Sequence, residues 1–204
     1  VLSWVLAQEA YGHYYRGNLR EAVTIARHAQ TLLPRTASTG SVLAAALEAR
    51  AHAARREPRE ARRALARAET GLSALPPDSV TASAFGYSES QFRFHEENVY
   101  TQLGDTRSAW RAQEQALQVC SPDDYTDWAL TRLDRAACLL HDGDPASALT
   151  YATHTLTTLA PTQTQGIITT RAQQLIRALP STYQKAPAAQ DLQDLLHESL
   201  RGAR

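Results

Sequence analysis

The chain has 204 residues, enough for one elongated domain, and its 21 basic and 21 acidic side chains cancel to a formal charge of zero. That balance removes any general electrostatic pull toward DNA, RNA or anionic lipid, and no run reaches the roughly 18 apolar residues needed to cross a bilayer. Ala, Leu and Arg are abundant, Glu and Gln add further strong helix formers, and no segment alternates strictly between apolar and polar, so an all-helical, cytoplasmic protein without a membrane segment is expected.

In chain order, VLSWVLAQEA at the start lacks the basic region and cleavage site of a leader. It reads as the middle of a helix without a capping signal, so a further domain is expected upstream. A first helix pair is expected over 2–34, turning at Gly17-Asn18-Leu19-Arg20-Glu21-Ala22 and stopped by Pro34. Glycine tolerates the left-handed conformation past a helix end, Asn18 can accept from the free amides of the next helix, and Glu21 stands where a reciprocal capping contact is made. A second pair, 41–75, turns at Arg56-Glu57-Pro58-Arg59-Glu60-Ala61, with Pro58 at the first helical position and Glu60 in the capping slot.

Pro76-Pro77-Asp78-Ser79 and the polar stretch to Ser90 predict a loop followed by an early or longer helix. A third pair, 86–121, turns at Gly104-Asp105-Thr106-Arg107-Ser108-Ala109, and a fourth, 125–160, at Gly143-Asp144-Pro145-Ala146-Ser147-Ala148. Asp105 and Asp144 are placed to cap their helices, as Asn18 is. A fifth unit, 164–201, comprises a helix over 164–179 stopped by Pro180 and a last one over 187–200. The stripe Leu192, Leu195, Leu196 and Leu200 suits a helix that covers the open end of a stack.

The turn alanines recur after 39, 48 and 39 residues, and seven residues beyond each stands Ala29, Ala68, Ala116 or, as the exception, Thr155. Small residues at that spacing share one helix face and let neighbouring helices approach. Gly17, Ala22, Ala29 and Pro34 resemble the second half of the tetratricopeptide pattern, although its usual period is shorter, about 34 residues. The expected fold is therefore all-α, a right-handed superhelical solenoid of tetratricopeptide-like antiparallel helix pairs forming a single domain over 1–204.

The stretch FGYSESQFRFHEENVYTQLGDTRSAWRAQEQA at 85–116, followed by DWALTRLDRAACLLHDGDPASAL from Asp127, resembles the C-terminal region of actinobacterial XRE-type transcriptional regulators. FRFHEEN and LDRAACL are its most specific part. Such regulators carry an N-terminal helix-turn-helix and a tetratricopeptide-like C-terminal region, so the resemblance implies a regulatory module and a sensor. The helix-turn-helix itself is not in these residues, and DNA contact is expected only through that further domain. A more distant similarity, of architecture alone, is to peptide-sensing regulators of Gram-positive bacteria.

In the tetratricopeptide arrangement the first helix of each pair lines a groove. Registering on the turn alanines assigns to that face Trp4, Tyr11, Tyr14 and Tyr15; Leu43, Ala46, Arg50 and Ala53; Gln91, Phe94, Asn98 and Gln102; and Leu130, Leu133, Ala137 and His141. The candidate ligand site is Trp4, Tyr11, Tyr14, Tyr15, Arg50, Phe94, Asn98 and Gln102. The aromatics offer broad contact to a peptide or flat small molecule, or else pack on upstream helices. Asn98 can donate to and accept from a peptide backbone, or bond a neighbouring helix. Arg50 can grip a carboxylate through its fork, or pair with Glu48 or Glu57.

Other constellations carry less. The arginines between Arg50 and Arg67 alternate with Glu48, Glu57, Glu60 and Glu69 at spacings of a solvated, ion-paired face. His95-Glu96-Glu97 lacks the ligand spacing of a zinc site, and His13 and His52 occupy equivalent packing positions. Cys120 and Cys138 read as buried reduced thiols, with a disulfide or redox role as the alternative. No GxSxG, GxxxxGK[ST] or GxGxxG occurs, so no enzyme activity, cofactor or metal is expected. The expected function is a ligand-sensing or protein-interaction module of a bacterial transcriptional regulator, with a peptide or small molecule in the groove. The alternative is a constitutive interaction or homodimerisation scaffold without a small ligand.

Overall fold

In a computed structural model, residues 1–32, 36–81, 83 and 85–201 are described. The chain is all-α, with no strand among the described residues, and none of their helices is long and apolar enough to cross a membrane. It divides into two compact units, Val1–Asp105 and Thr106–Arg204. The expected stop at Pro34 falls outside the described residues.

The first unit holds α1 (Leu2–Tyr15), α2 (Leu19–Thr31), α3 (Thr39–Ala54), α4 (Pro58–Ser73), a single 3₁₀ turn at Pro77–Ser79, and α5 (Glu89–Leu103). Helix α3 is its axis and packs against α1, α2, α4 and α5. Its sequence explains this position: Ala44, Ala45, Ala46, Leu47, Ala49, Ala51 and Ala53 are all buried and fall on every side of the helix, so every side must be covered. Gly40 in its first turn lets the backbone lie directly on α1, since a Cβ there would stand 2.3 Å from the Trp4 nitrogen. Helices α2 and α4 are one-sided, burying Ala22, Val23, Ala26 and Ala29, and Ala61, Ala64, Leu65 and Ala68.

All four expected turns have the same geometry. The amide of Gly17 donates to the Tyr14 carbonyl and that of Asn18 to His13, a pair of bonds repeated after α3, α5 and α7. This is the Schellman closure, in which the first residue past the helix takes positive φ. Gly17, Gly104 and Gly143 have φ of 78°, 70° and 85°, and Arg56 occupies the fourth such position at 61°. A side chain is strained there, and Arg56 is exposed. Arg56→Gly is expected to raise the unfolding free energy by about 0.5–1 kcal/mol, read from the urea midpoint.

Capping differs from expectation. Asn18 makes no side-chain cap, nor does Glu57, so Glu21 and Glu60 complete no reciprocal contact; the Schellman bonds already fix these entries. Asp144 does accept from the Ser147 amide. The reciprocal boxes lie at the other ends of the pairs, Ser38 with Ser41 and Ser88 with Gln91. They start α3 at Thr39 and α5 at Glu89, two residues before 41 and three after 86.

The second unit holds α6 (Thr106–Val119), α7 (Tyr125–His141), α8 (Pro145–Thr157), α9 (Ile167–Ala178), the single turn α10 (Ser181–Gln184) and α11 (Pro187–Arg201). Helix α7 packs on α6, α8 and α9, and α11 packs on α8 and α9 through the buried Leu192 and Leu196. The expected last helix is thus present; the Leu200 side chain lies outside the described residues. The Arg171–Asp134 ion pair, 2.8 Å long and almost wholly buried, ties α9 to α7. In both units the turn alanines Ala61, Ala109 and Ala148 have no exposed surface and Ala22 has 1%. Thr155 is buried like the alanines at its repeat position, its hydroxyl donating to the Tyr151 carbonyl one turn back.

Candidate ligand site

The first unit brings six of the eight selected residues together. Tyr11, Tyr14 and Tyr15 come from the C-terminal turn of α1, Arg50 from α3, and Phe94 and Asn98 from α5. Arg50 is completely buried at the centre. Its Nε donates to Asn98 Oδ1 at 2.9 Å, and the Tyr14 hydroxyl donates to the same oxygen at 3.2 Å. Nη1 faces His95 Nδ1 at 3.2 Å and the Tyr11 hydroxyl at 3.4 Å, and Nη2 donates to the Tyr15 hydroxyl at 3.4 Å.

Four rings surround the cation, with its central carbon 4.5 Å from the Tyr14 centroid, 5.2 Å from Phe94, 5.5 Å from Tyr15 and 5.7 Å from Tyr11. A desolvated cation gains about 2 kcal/mol from a well-placed ring, which offsets part of the cost of removing it from water. Among the described residues no carboxylate is in ion-pair contact with it. Burial acts to lower the Arg50 guanidinium, but the phenols of Tyr14, Tyr15 and Tyr11 outweigh it and hold the pKa well above its ordinary value.

His95 belongs to the same cluster. Its ring stacks on Tyr87 with a 4° interplanar angle. Burial, and then the Arg50 cation, push its imidazole well below the ordinary value, so it is neutral at pH 7. A guanidinium only donates, so Nδ1 is the unprotonated nitrogen that accepts from Arg50. Sequence reasoning weighed His95 only as a metal ligand, although it lies three residues before Asn98, a spacing that shares a helix face.

A depressed folded pKa makes the unfolded chain the better proton acceptor. The stabilising contribution is complete above the free-imidazole value of about 6.5 and is lost as the pH falls below it. The melting temperature of the wild type is expected to drop from pH 6.5 downward, and that of His95→Gln to be flatter over the same interval.

Trp4 and Gln102 stand outside the cluster. Trp4 sets its ring 5.1 Å from Phe85, and Gln102 makes none of the cluster's hydrogen bonds. The rest of the face assigned to a groove is closed at α3, where Leu43, Ala46 and Ala53 are buried. Of the cluster, Tyr15 is 38% exposed and Tyr11 half-buried, so these two form its outer surface.

Arg50 pairs with neither Glu48 nor Glu57. Glu48, buried on the other side of α3, accepts from Arg27 at 2.8 Å, Arg67 at 2.6 Å and Gln30 at 2.8 Å. Burial acts to raise its carboxyl, yet those bonds outweigh it and hold the pKa below the ordinary value. His52 joins this group, 2.5 Å from Glu57 and 3.4 Å from Glu48, which gives it a polar role where a packing role was expected.

In the second unit Arg132 lies over the Trp128 and Tyr151 rings and donates to Thr155 at 3.2 Å. Cys138 is buried, but Cys120 lies past the end of α6 and is not. Burial, with Asp124 and Asp127 nearby, pushes its thiol up to about 11, so it is not a thiolate nucleophile at neutral pH. Among the described residues no three metal-ligating side chains gather. Comparison with protein families, curated proteins and solved structures finds no match to this chain.

Proposed function

We propose that the chain is the ligand-sensing part of a bacterial transcriptional regulator, built of tetratricopeptide-like pairs continuing as a right-handed solenoid. The observation that carries this reading is the convergence of polar and aromatic side chains from α1, α3 and α5 on one cluster, with Tyr11 and Tyr15 at its surface. The repeat reading is supported by the shared turn geometry, the buried turn alanines, and the packing of α3 against both α1 and α5. A ligand seated on that surface binds groups of all three helices at once. It therefore favours one arrangement of them, and in a regulator that arrangement sets the pose of an attached DNA-binding domain.

A second reading, an interaction scaffold whose task is dimerisation, is favoured by the apolar surface beside Trp4, where Leu2, Val5 and Phe85 are 60%, 49% and 68% exposed. Native mass spectrometry of the chain incubated with the peptide and metabolite fraction of bacterial cells separates the two. The sensing reading expects an added small mass that Tyr15→Ala loses. A tight dimer with no added mass in either protein selects the scaffold.

A further inference from the structure

The two edges of the Arg50 guanidinium are held differently. The inner side is anchored by Asn98 at 2.9 Å and by neutral His95 at 3.2 Å. On the outer edge, Nη1, which also faces His95, donates to the Tyr11 hydroxyl and Nη2 to the Tyr15 hydroxyl, each at 3.4 Å, beyond the usual range for a charge-assisted bond. Those hydroxyl oxygens are 3.2 Å apart, one opposite each nitrogen. They face the same two nitrogens that a carboxylate engages in an end-on bidentate pair.

Among the described residues, buried Glu48 has two arginines and buried Asp134 has Arg171. Arg50 has rings and neutral acceptors. A buried cation without a counter-charge is an anion site in its electrostatics. With His95 neutral, the cluster offers one positive charge, matched to a monoanion; a phosphate dianion would bring one charge in excess.

Resting on the ligand-sensing reading above, we propose that the outer edge of Arg50 binds the carboxylate of a ligand with an apolar or aromatic body, either a free acid or the C-terminal residue of a peptide. The carboxylate displaces the Tyr11 and Tyr15 hydroxyls. Tyr15, already at the surface, swings outward to admit it, and the Tyr11, Tyr14 and Phe94 rings wall the slot. The exchange replaces two long bonds by two short charge-assisted ones and brings the missing counter-charge.

The test uses the full chain and calorimetric titration with four probes: phenylacetate, phenylacetamide, N-acetylphenylalanine and N-acetylphenylalaninamide, with inorganic phosphate as the control anion. One or both acids are expected to bind, at least about tenfold more tightly than the matching amide, the worth of one charge-assisted bond. Preference for phenylacetate marks a free acid, and preference for N-acetylphenylalanine marks a peptide terminus. Tyr11→Phe/Tyr15→Phe keeps the rings and removes the competing hydroxyls, so it is expected to bind the preferred acid about five- to tenfold more tightly than wild type. Arg50→Met is expected to lose that binding; if it does not fold, the double variant alone decides.

Equal binding of acid and amide would overturn the carboxylate site while leaving a ligand groove intact. Absence of acid binding to both wild type and the double variant, or stronger binding of phosphate, would overturn it too. The sensing reading would then stand or fall on the native mass measurement.

Discussion

Arg50→Ala is expected to lower the unfolding free energy of the first unit by about 3–5 kcal/mol, the range of a large buried side chain removed from a packed core. The substitution empties the centre of the cluster. It removes the Nε donor from Asn98 Oδ1 and the donor facing His95 Nδ1. Each buried acceptor so deprived costs about 1–3 kcal/mol unless water reaches it. Two further variants separate volume from bonding. Arg50→Met keeps the size and loses the donors; Arg50→Lys keeps the charge but not the fork, and is expected to recover less than half of the loss. Urea denaturation of the three variants reads the order. If alanine at this position costs less than about 1 kcal/mol, Arg50 is not the joint that the geometry describes.

Gly40→Ala is the second large effect, and its sign opposes intrinsic propensity. Alanine in a helix ordinarily gains about 1 kcal/mol over glycine. At Gly40 a Cβ would meet backbone, the Trp4 nitrogen at 2.3 Å and the Ser3 carbonyl carbon at 2.6 Å, and neither can swing aside as a side chain does. Helix α1 must move off α3, disturbing the buried Ser3 hydroxyl that donates to the Ala29 carbonyl at 2.8 Å. A net loss of about 2–3 kcal/mol is expected. Gly12 in α1 is the matched control, because the nearest atom to its Cβ is the Arg16 Nη1 at 3.5 Å. Gly12→Ala is expected to stabilise by about 0.5–1 kcal/mol. Chemical denaturation of both variants suffices, and equal signs would contradict the close helix approach.

How far the sequence specifies this structure depends on whether the requirement is local. The four turns were legible because a positive φ, a proline at the start of a helix and a small residue at a contact each demand a particular residue type. Arg56 was found only because Glu57, Pro58 and Ala61 carried the pattern around it. The start of α5 was also written in the chain, as Ser88 followed three residues later by Gln91, a capping box hidden in a polar stretch that reads as loop. Ser38 with Ser41 carries a weaker signal, since serine is not the usual partner at that position.

The cluster around Arg50 was legible in part. Repeat register selected Tyr11, Tyr14, Tyr15, Arg50, Phe94 and Asn98, and they do meet. Register says nothing of depth, however. An arginine is expected at the surface, and only the approach of α1 and α5 to α3 shows Arg50 enclosed. Trp4 was selected by the same register, but it sits three turns from the cluster end of its helix. His95 stands beside Glu96 and Glu97 without the spacing of a metal site, and nothing local in the sequence marks it as the partner of an arginine on another helix. In the structure Glu96 instead bonds Arg93 at 2.8 Å.

The outer edge of the buried Arg50 guanidinium, faced by the Tyr11 and Tyr15 hydroxyls, is the proposed point of ligand contact. The most direct measurement is an NMR titration that follows the Arg50 side-chain nitrogens of the full chain while phenylacetate and N-acetylphenylalanine are added. The Nη resonances are expected to shift and slow in exchange with one or both acids, while Nε, anchored on Asn98, moves little. Nη signals unmoved by either acid, with Tyr11 and Tyr15 equally undisturbed, would contradict it.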